Sequence, residues 1–299
     1  MVEINPFSNR AMIKNPNEFF GRKDQLTTIL SRLSNLQSCD VFGERKIGKS
    51  SLLYYIFMKL RDGDEYRVAY IDMQDAKYHT LEGFLNYSLK ELGSDPGVIS
   101  SNNLNKNLIT FSDSIEDLRK EIKPVLLIDE FENLTKRAEE FNNDFFDAMR
   151  SLGSHGNIAY VTASLHALKR LCIAGHFTSP FYNIFSRVHL GLFSYEETTK
   201  FLSAKREGVE FSKEEIEFIK RIVKNHPLHL QIACYHVLEN QGKEYDEKEL
   251  RKDIEEEIKS FGDKWRKRGL VKHGKALFNY LYVFSSSTTI SSFPPRQPI

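Results

Sequence analysis

The sequence predicts an α/β fold, a mostly parallel sheet with helices on both faces followed by a small all-α domain. Three observations carry this. Short apolar runs alternate with segments of helical periodicity up to about residue 193. A glycine-rich turn joins an early strand to an early helix. After Ser194 the strand pattern stops and only helical spacing continues.

The elements follow in order. Residues 1–17 are a polar lead-in with Pro6 and Pro16. Leu26, Ile29, Leu30 and Leu33 recur at helical spacing. Val41 and Phe42 form a short strand candidate that also carries Asp40. Leu52, Leu53, Ile56, Phe57 and Leu60 then mark a helical face. Residues 68–73 read as a strand, Leu81, Phe84, Leu85 and Leu89 as a helix, and Ile115, Leu118 and Ile122 as another. Residues 125–128 are an apolar run after Pro124, as in a strand buried on both faces. Phe141, Phe145, Met149 and Leu152 predict a helix, residues 158–163 a strand and residues 188–192 a further one.

Beyond 194, Phe201, Leu202, Ile216, Ile219, Ile222, Val223 and Leu230 are the expected core of the helical domain. The charge-rich stretch 243–259 predicts a solvated helix, and 285–299, rich in Ser, Thr and Pro, a disordered tail. The expected domains are the lead-in 1–17, a core at 18–193, a helical domain at 194–270, and a short helix with its tail at 271–299.

Composition narrows the function. With 42 basic against 41 acidic residues, charge alone points to neither nucleic acid nor membrane. Cys39, Cys172 and Cys234 are widely spaced and odd in number, which argues against a disulfide framework or a cysteine-rich zinc site. No signal peptide or membrane span is read, so a reducing, cytoplasmic setting is expected.

Gly43, Glu44, Arg45, Lys46, Ile47, Gly48, Lys49 and Ser50 match the phosphate-binding P-loop pattern G-x-x-x-x-G-K-[ST]. Glycines let several N–H groups point at one anion, and the helix that starts here adds its positive end. Lys49 can reach the β- and γ-phosphates, and the Ser50 hydroxyl suits Mg²⁺. The bland alternative is a glycine turn with a basic residue beside a helix. The strand before the motif and the amphipathic helix after it favour phosphate.

Eighty positions on from Lys49, the run 125–128 ends in Asp129 and Glu130. Asp129 can hold Mg²⁺ and Glu130 can polarise the attacking water as a general base. Alternatively the pair merely caps the next helix.

Six segments carry a family resemblance: the lead-in Asn5-Pro-Phe-Ser with 17–22 (Asn-Glu-Phe-Phe-Gly-Arg), 48–53 (Gly-Lys-Ser-Ser-Leu-Leu), 127–132, 160–164 (Tyr-Val-Thr-Ala-Ser), 179–187, and 225–231 around Pro227. Together, over residues 5–240, they resemble STAND-type and archaeal-type ATPases of the AAA+ group, with origin-recognition ATPases as more distant relatives. The resemblance implies a P-loop NTPase core, a five-stranded sheet with a helical lid packed over ATP and Mg²⁺. Phe20, Gly21 and Arg22 would lie near the adenine, Pro227 would approach the base from the lid, and Ser51 would join the loop's nucleotide contacts. Thr162 or Ser164 would sense the γ-phosphate, or be ordinary strand-end residues. Arg187 would be an arginine finger or sensor, or simply a strand-edge charge. Asn225 and His226 stand where many relatives carry glycine and another residue before the proline.

The leading expectation is therefore an ATP-driven switch, with slow Mg²⁺-dependent hydrolysis, assembly into a homo-oligomer on ATP binding, and a protein partner that the sequence does not name. An alternative is a DNA-binding, initiator-like ATPase. Its basic cluster, Lys264, Trp265, Arg266, Lys267, Arg268, Lys272, His273 and Lys275, follows an acidic run at 253–257 and also reads as a solvated helix end. A nucleotide scaffold without turnover is a third possibility. There is no N-K-x-D guanine signal. His226 and His229, three apart, read as ordinary helix residues rather than zinc ligands.

Overall fold

The computed structural model describes residues 5–94, 99–100, 103–206, 208–244 and 246–266. In chain order the elements are α1 (Lys23–Leu33), β1 (Ser38–Phe42), α2 (Lys49–Leu60), β2 (Tyr66–Asp72), α3 (Leu81–Glu91), α4 (Leu104–Arg119), β3 (Lys123–Asp129), α5 (Glu132–Thr135), α6 (Asn143–Ser154) and β4 (Ala159–Ser164). Then come α7 (Leu168–Ala174), β5 (Phe185–His189), α8 (Tyr195–Ser203), α9 (Lys213–Ile222), α10 (Pro227–Asn240) and α11 (Glu247–Arg266).

Helix starts follow local chemistry. The side chains of Thr80, Asn103 and Asn142 accept the free N–H groups of Gly83, Lys106 and Phe145. Ser194 with Glu197, and Ser212 with Glu215, form reciprocal capping boxes at the starts of α8 and α9.

The strands form a five-stranded parallel sheet in the order β2-β3-β4-β1-β5. Side-chain alternation splits its core in two. Val125 and Leu127 pack with Val68, Val41, Val161 and Ala163 against Ile29 and Leu33 of α1 and Leu52, Leu53 and Ile56 of α2. Leu126 and Ile128 face the other way, with Ala69, Ile71 and Tyr160, toward Phe84 of α3, Phe111 and Ile115 of α4, and Phe145 and Phe146 of α6. Helices thus cover both faces, as expected for near-continuous apolar strands.

Two expected elements shift. The edge strand runs Phe185–His189 rather than 188–192, because its outward residues Arg187 and His189 are exposed and leave no apolar run. Pairing continues only to Leu190, whose N–H donates to the Phe42 carbonyl at 2.8 Å. Ile122 lies beyond the end of α4, which stops at Arg119.

The chain divides into two compact units, Met1–Asp246 and Glu247–Ile299. Helices α8, α9 and α10 belong to the first, where Phe201, Leu202, Phe218, Ile219, Leu228 and Leu230 are buried. In the second, α11 carries Arg251–Glu255 and Lys252–Glu256 ion pairs one turn apart, at 2.9 and 3.9 Å. Exposed pairs of this kind contribute about 0.3–0.5 kcal/mol each, so they support the helix without deciding its position. The side chains of the basic cluster at 264–275 and the expected tail at 285–299 lie outside the described residues. Among the described residues no helix is long and apolar enough to cross a membrane.

Candidate functional site

The site is built where β1 and β3 end. After Phe42 the chain leaves the sheet through Gly43, whose N–H donates to the Ser164 carbonyl at 3.3 Å. A Cβ at Gly43 would sit 2.2 Å from the Leu190 carbonyl oxygen, so only glycine passes between β1 and the residue after β5. The loop turns through left-handed Lys46 (φ 59°) and ends in Gly48 (φ 100°), which caps α2 without a side chain. The side chain of Ile47 is buried in the core and anchors the loop from below, while Glu44 and Lys46 are exposed. The first N–H groups of α2 therefore remain as donors at an open helix start.

Lys49 folds its ammonium over this loop, donating to the carbonyls of Gly43 at 2.9 Å and Glu44 at 2.8 Å. Burial lowers its pKa, opposed by the nearby carboxylates of Glu132, Glu130 and Asp129. Asp129 ends β3 and is 4% exposed. Its Oδ2 accepts from Tyr70 at 2.8 Å, its Oδ1 accepts the Glu130 N–H at 3.0 Å, and the Ser50 hydroxyl also bonds it. Burial raises its pKa despite these donors. Glu130 sits in the left-handed region at φ 51°, and burial, then the charges of Glu132 and Asp129, push its pKa up. A carboxylate with a raised pKa is better matched to taking a proton near neutral pH.

A hydrated Mg²⁺ fits these donors. Ser50 and Asp129 offer hard oxygens already within bonding distance of one another. Among the described residues no group of three or more His, Cys, Asp or Glu could form an all-protein cage. His226 and His229 stack ring on ring at 4.2 Å.

The other expected residues spread around the loop. Arg22 is 3% exposed. It donates to the Ile47 carbonyl at 3.0 Å, lies over the Phe193 ring at 4.6 Å, and gives its backbone N–H to Glu197 of α8 at 2.7 Å. Burial lowers its pKa to about 10, against the pull of Glu197. Arg22 thus braces the loop and ties it to the helical region, and the preceding Gly21 (φ 73°) passes close to Glu197 and Phe193, where a Cβ would come within 2.9 and 3.1 Å of their side chains. Phe20 packs edge-on to Phe193 and Phe201. Pro227 opens α10 at a position where its missing N–H costs nothing. Beside it, buried His226 hydrogen-bonds the Arg45 backbone and is kept neutral, its pKa lowered to about 3 by burial. The Ser51 hydroxyl accepts the Ile13 N–H at 3.0 Å, so it secures the lead-in to α2.

Thr162 lies within β4. Its hydroxyl is fully buried and donates to Asp40 on β1 at 3.4 Å, where Asp40 also accepts the Leu168 N–H at 2.8 Å. By strand alternation it shares a sheet face with Tyr160, whereas Asp129 shares the opposite face with Leu127 and α2. Ser164 turns its hydroxyl back to the His166 carbonyl at 2.7 Å. Both hydroxyls are committed inside the protein. Arg187 is exposed on the edge strand, opposite Asp40 in register. Its neighbouring acid is Asp40 rather than the group around Lys49.

Sequence reading missed Tyr70, Glu132 and Glu197. Glu132 had a signal, a third acid two places after Glu130. Tyr70 and Glu197 had none, since each meets its partner only across the fold.

A parallel sheet of this order, with a glycine loop entering α2 and two acids ending β3, defines a P-loop NTPase. The chain belongs to the family described as Novel STAND NTPase 2, which matches residues 33–260. No curated protein matches it in sequence. Its fold is similar to that of a Walker-type ATPase of Pyrococcus abyssi, at 19% identity and TM-score 0.62, over 88% of this chain and 80% of the other. It is also similar to the Aeropyrum pernix ORC2 protein solved in ADPNP–ADP complexes, at 17% identity and TM-score 0.58, over 84% and 71%. The Aeropyrum pernix ORC1 protein, solved in complex with DNA, matches at 11% identity and TM-score 0.56, over 84% and 68%.

Proposed function

We propose that this protein binds ATP with Mg²⁺ and hydrolyses it slowly, as a molecular switch. One observation carries the reading: the Lys49 ammonium lies over the loop carbonyls of Gly43 and Glu44, at the open start of α2 and beside Asp129 and Glu130. In this reading the loop N–H groups and Lys49 hold the phosphates, and Ser50 and Asp129 hold the ion, which neutralises charge on the phosphates. Glu130 takes the proton of a water whose oxygen bonds the γ-phosphorus. The bond from that phosphorus to the bridging oxygen breaks, and its electron pair leaves with ADP.

The helical region α8–α10 acts as the lid. Glu197 and His226 reach the backbone of Arg22 and Arg45, so a shift of the loop on ATP binding is felt there. Exposed Arg187 suits a contact with a second copy, in a homo-oligomer that forms on ATP binding. Three free, buried cysteines accord with a cytoplasmic setting. The signal reaches a protein partner through the lid.

The test is ATP binding and turnover with Mg²⁺ for the wild type, Lys49→Ala and Glu130→Gln, with light scattering with and without ATP. A wild type that neither binds nor hydrolyses ATP ends this reading. The second reading, a DNA-binding initiator-like ATPase, is favoured by the fold shared with a protein solved on DNA. It requires a salt-dependent shift of labelled duplex, and no shift at low salt retires it.

A further inference from the structure

Glu132 opens α5, two residues after Glu130. Its Oε1 accepts the Leu165 N–H at 3.4 Å, which ties the end of β3 to the loop after β4. Its Oε2 is buried from solvent and meets no donor in the protein. The charged groups that feel this carboxylate are Lys49, Glu130 and His166. Lys49 already gives hydrogen bonds to Gly43 and Glu44. A buried carboxylate oxygen without a donor is costly, because it has lost water and gained nothing in return. Retaining one beside the phosphate loop suggests that its donor arrives with the reaction. The hydroxyls of Thr162 and Ser164, expected to orient water, are committed to Asp40 and to the His166 carbonyl.

We propose that Glu132 is a second catalytic carboxylate: held by Leu165 through Oε1, it accepts through Oε2 one hydrogen bond of the water that attacks the γ-phosphorus. Glu130 takes the other proton of that water as the new oxygen–phosphorus bond forms. This rests on the ATPase reading above and adds a residue to it. Two acids share the task because one carboxylate that both orients and deprotonates a water fixes only one of its two hydrogens.

Glu132→Gln separates this role from a structural one. The amide oxygen keeps the bond to Leu165, while the second position becomes a donor that cannot accept from water. Wild type, Glu132→Gln and Glu132→Ala are compared for ADP and ATP-analogue affinity, for turnover, and for trapping of ADP with aluminium fluoride and Mg²⁺, which imitates the transition state. Expected for Glu132→Gln are ADP affinity within roughly threefold of wild type, turnover lowered roughly 10- to 100-fold, and loss of trapping. Glu132→Ala matches it in turnover.

Wild-type turnover and trapping in Glu132→Gln, with loss only in Glu132→Ala, would show a merely structural tie and overturn the proposal. Tighter nucleotide binding with unchanged turnover would make Glu132 only a counter-charge for Lys49, and also overturns it. Lost ADP affinity does so too, since a group acting on the attacking water does not touch ADP. A wild type that fails to bind ATP ends the ATPase reading and this inference with it. A wild type that binds and traps, beside a Glu132→Gln that traps equally, ends this inference alone.

Discussion

The phenolic hydroxyl of Tyr70 on β2 donates to Oδ2 of Asp129 on β3 across 2.8 Å. Register explains the meeting: Tyr70 pairs with Leu127 and Asp72 with Asp129, so Tyr70 and Asp129 are diagonal neighbours on one sheet face. The bond compensates a carboxylate that is 4% exposed. Tyr70→Phe removes the donor and leaves the acceptor buried. The expected loss is about 1–3 kcal/mol of unfolding free energy, read from the midpoint of chemical denaturation. An unchanged midpoint would show that Ser50 and the Glu130 N–H suffice.

Lys49→Ala removes the cation that lies over the loop. ATP affinity is expected to fall roughly 100-fold, because a charge-assisted contact to phosphate is lost in a partly desolvated pocket. Glu130→Gln keeps the shape and removes the base. Binding is expected to persist while turnover falls roughly 10²- to 10⁴-fold. Equilibrium binding of a fluorescent ATP analogue, with phosphate release measured alongside, separates the two effects.

Two glycines of the loop serve different ends. A methyl at Gly43 meets the Leu190 carbonyl at 2.2 Å, so Gly43→Ala must push apart β1 and the residue that extends β5. A methyl at Gly48 meets nothing within 4 Å and costs only backbone strain at φ 100°. Gly43→Ala is expected to lose about 3 kcal/mol or more and Gly48→Ala about 1–2 kcal/mol. Denaturation midpoints of the two variants give the order, and equal midpoints contradict it.

Burial pushes the Asp40 carboxyl up to about 6, against the lowering effects of Leu168, Thr162 and Arg187. The sign follows from proton binding. Between the ordinary carboxylate value of about 4 and about 6, the folded state holds a proton that the unfolded state has released. Its stabilising contribution is present below pH 4 and lost as pH rises through 6. Asp40→Asn removes the charge; its amide oxygen still accepts the Leu168 N–H, while its NH2 takes the place of the oxygen that accepts from Thr162 and can donate to that hydroxyl instead. The variant is therefore expected to gain stability relative to wild type as pH rises from 4 to 7, by at most roughly 3 kcal/mol. Parallel pH dependences for the two proteins would contradict this.

The phosphate loop was legible because its chemistry is carried by consecutive residues, and the helix that follows needs only local spacing. Strand β3 was legible because burial on both faces writes itself as an unbroken apolar run. Strand β5 was misplaced because an edge strand shows one face to solvent and has no such run. Strand β1 hides buried Ser38 and Asp40, whose partners, the Tyr160 N–H and the Leu168 N–H, come from over a hundred residues away.

By itself the sequence determined the α/β class, the loop from Gly43 to Ser50 and the paired acids at the end of β3, since each is written in a contiguous stretch. Only tertiary structure decided which groups meet. The strand order β2-β3-β4-β1-β5 brings the loop of β1 and the acids of β3 together with β4 between them. Side-chain alternation then turns Thr162 to Asp40 on one face, while Tyr70 meets Asp129 on the other and Glu132 comes close to Lys49. The reason is physical: a hydrogen bond between distant residues depends on register and on which face each side chain takes, and neither is a property of any single segment.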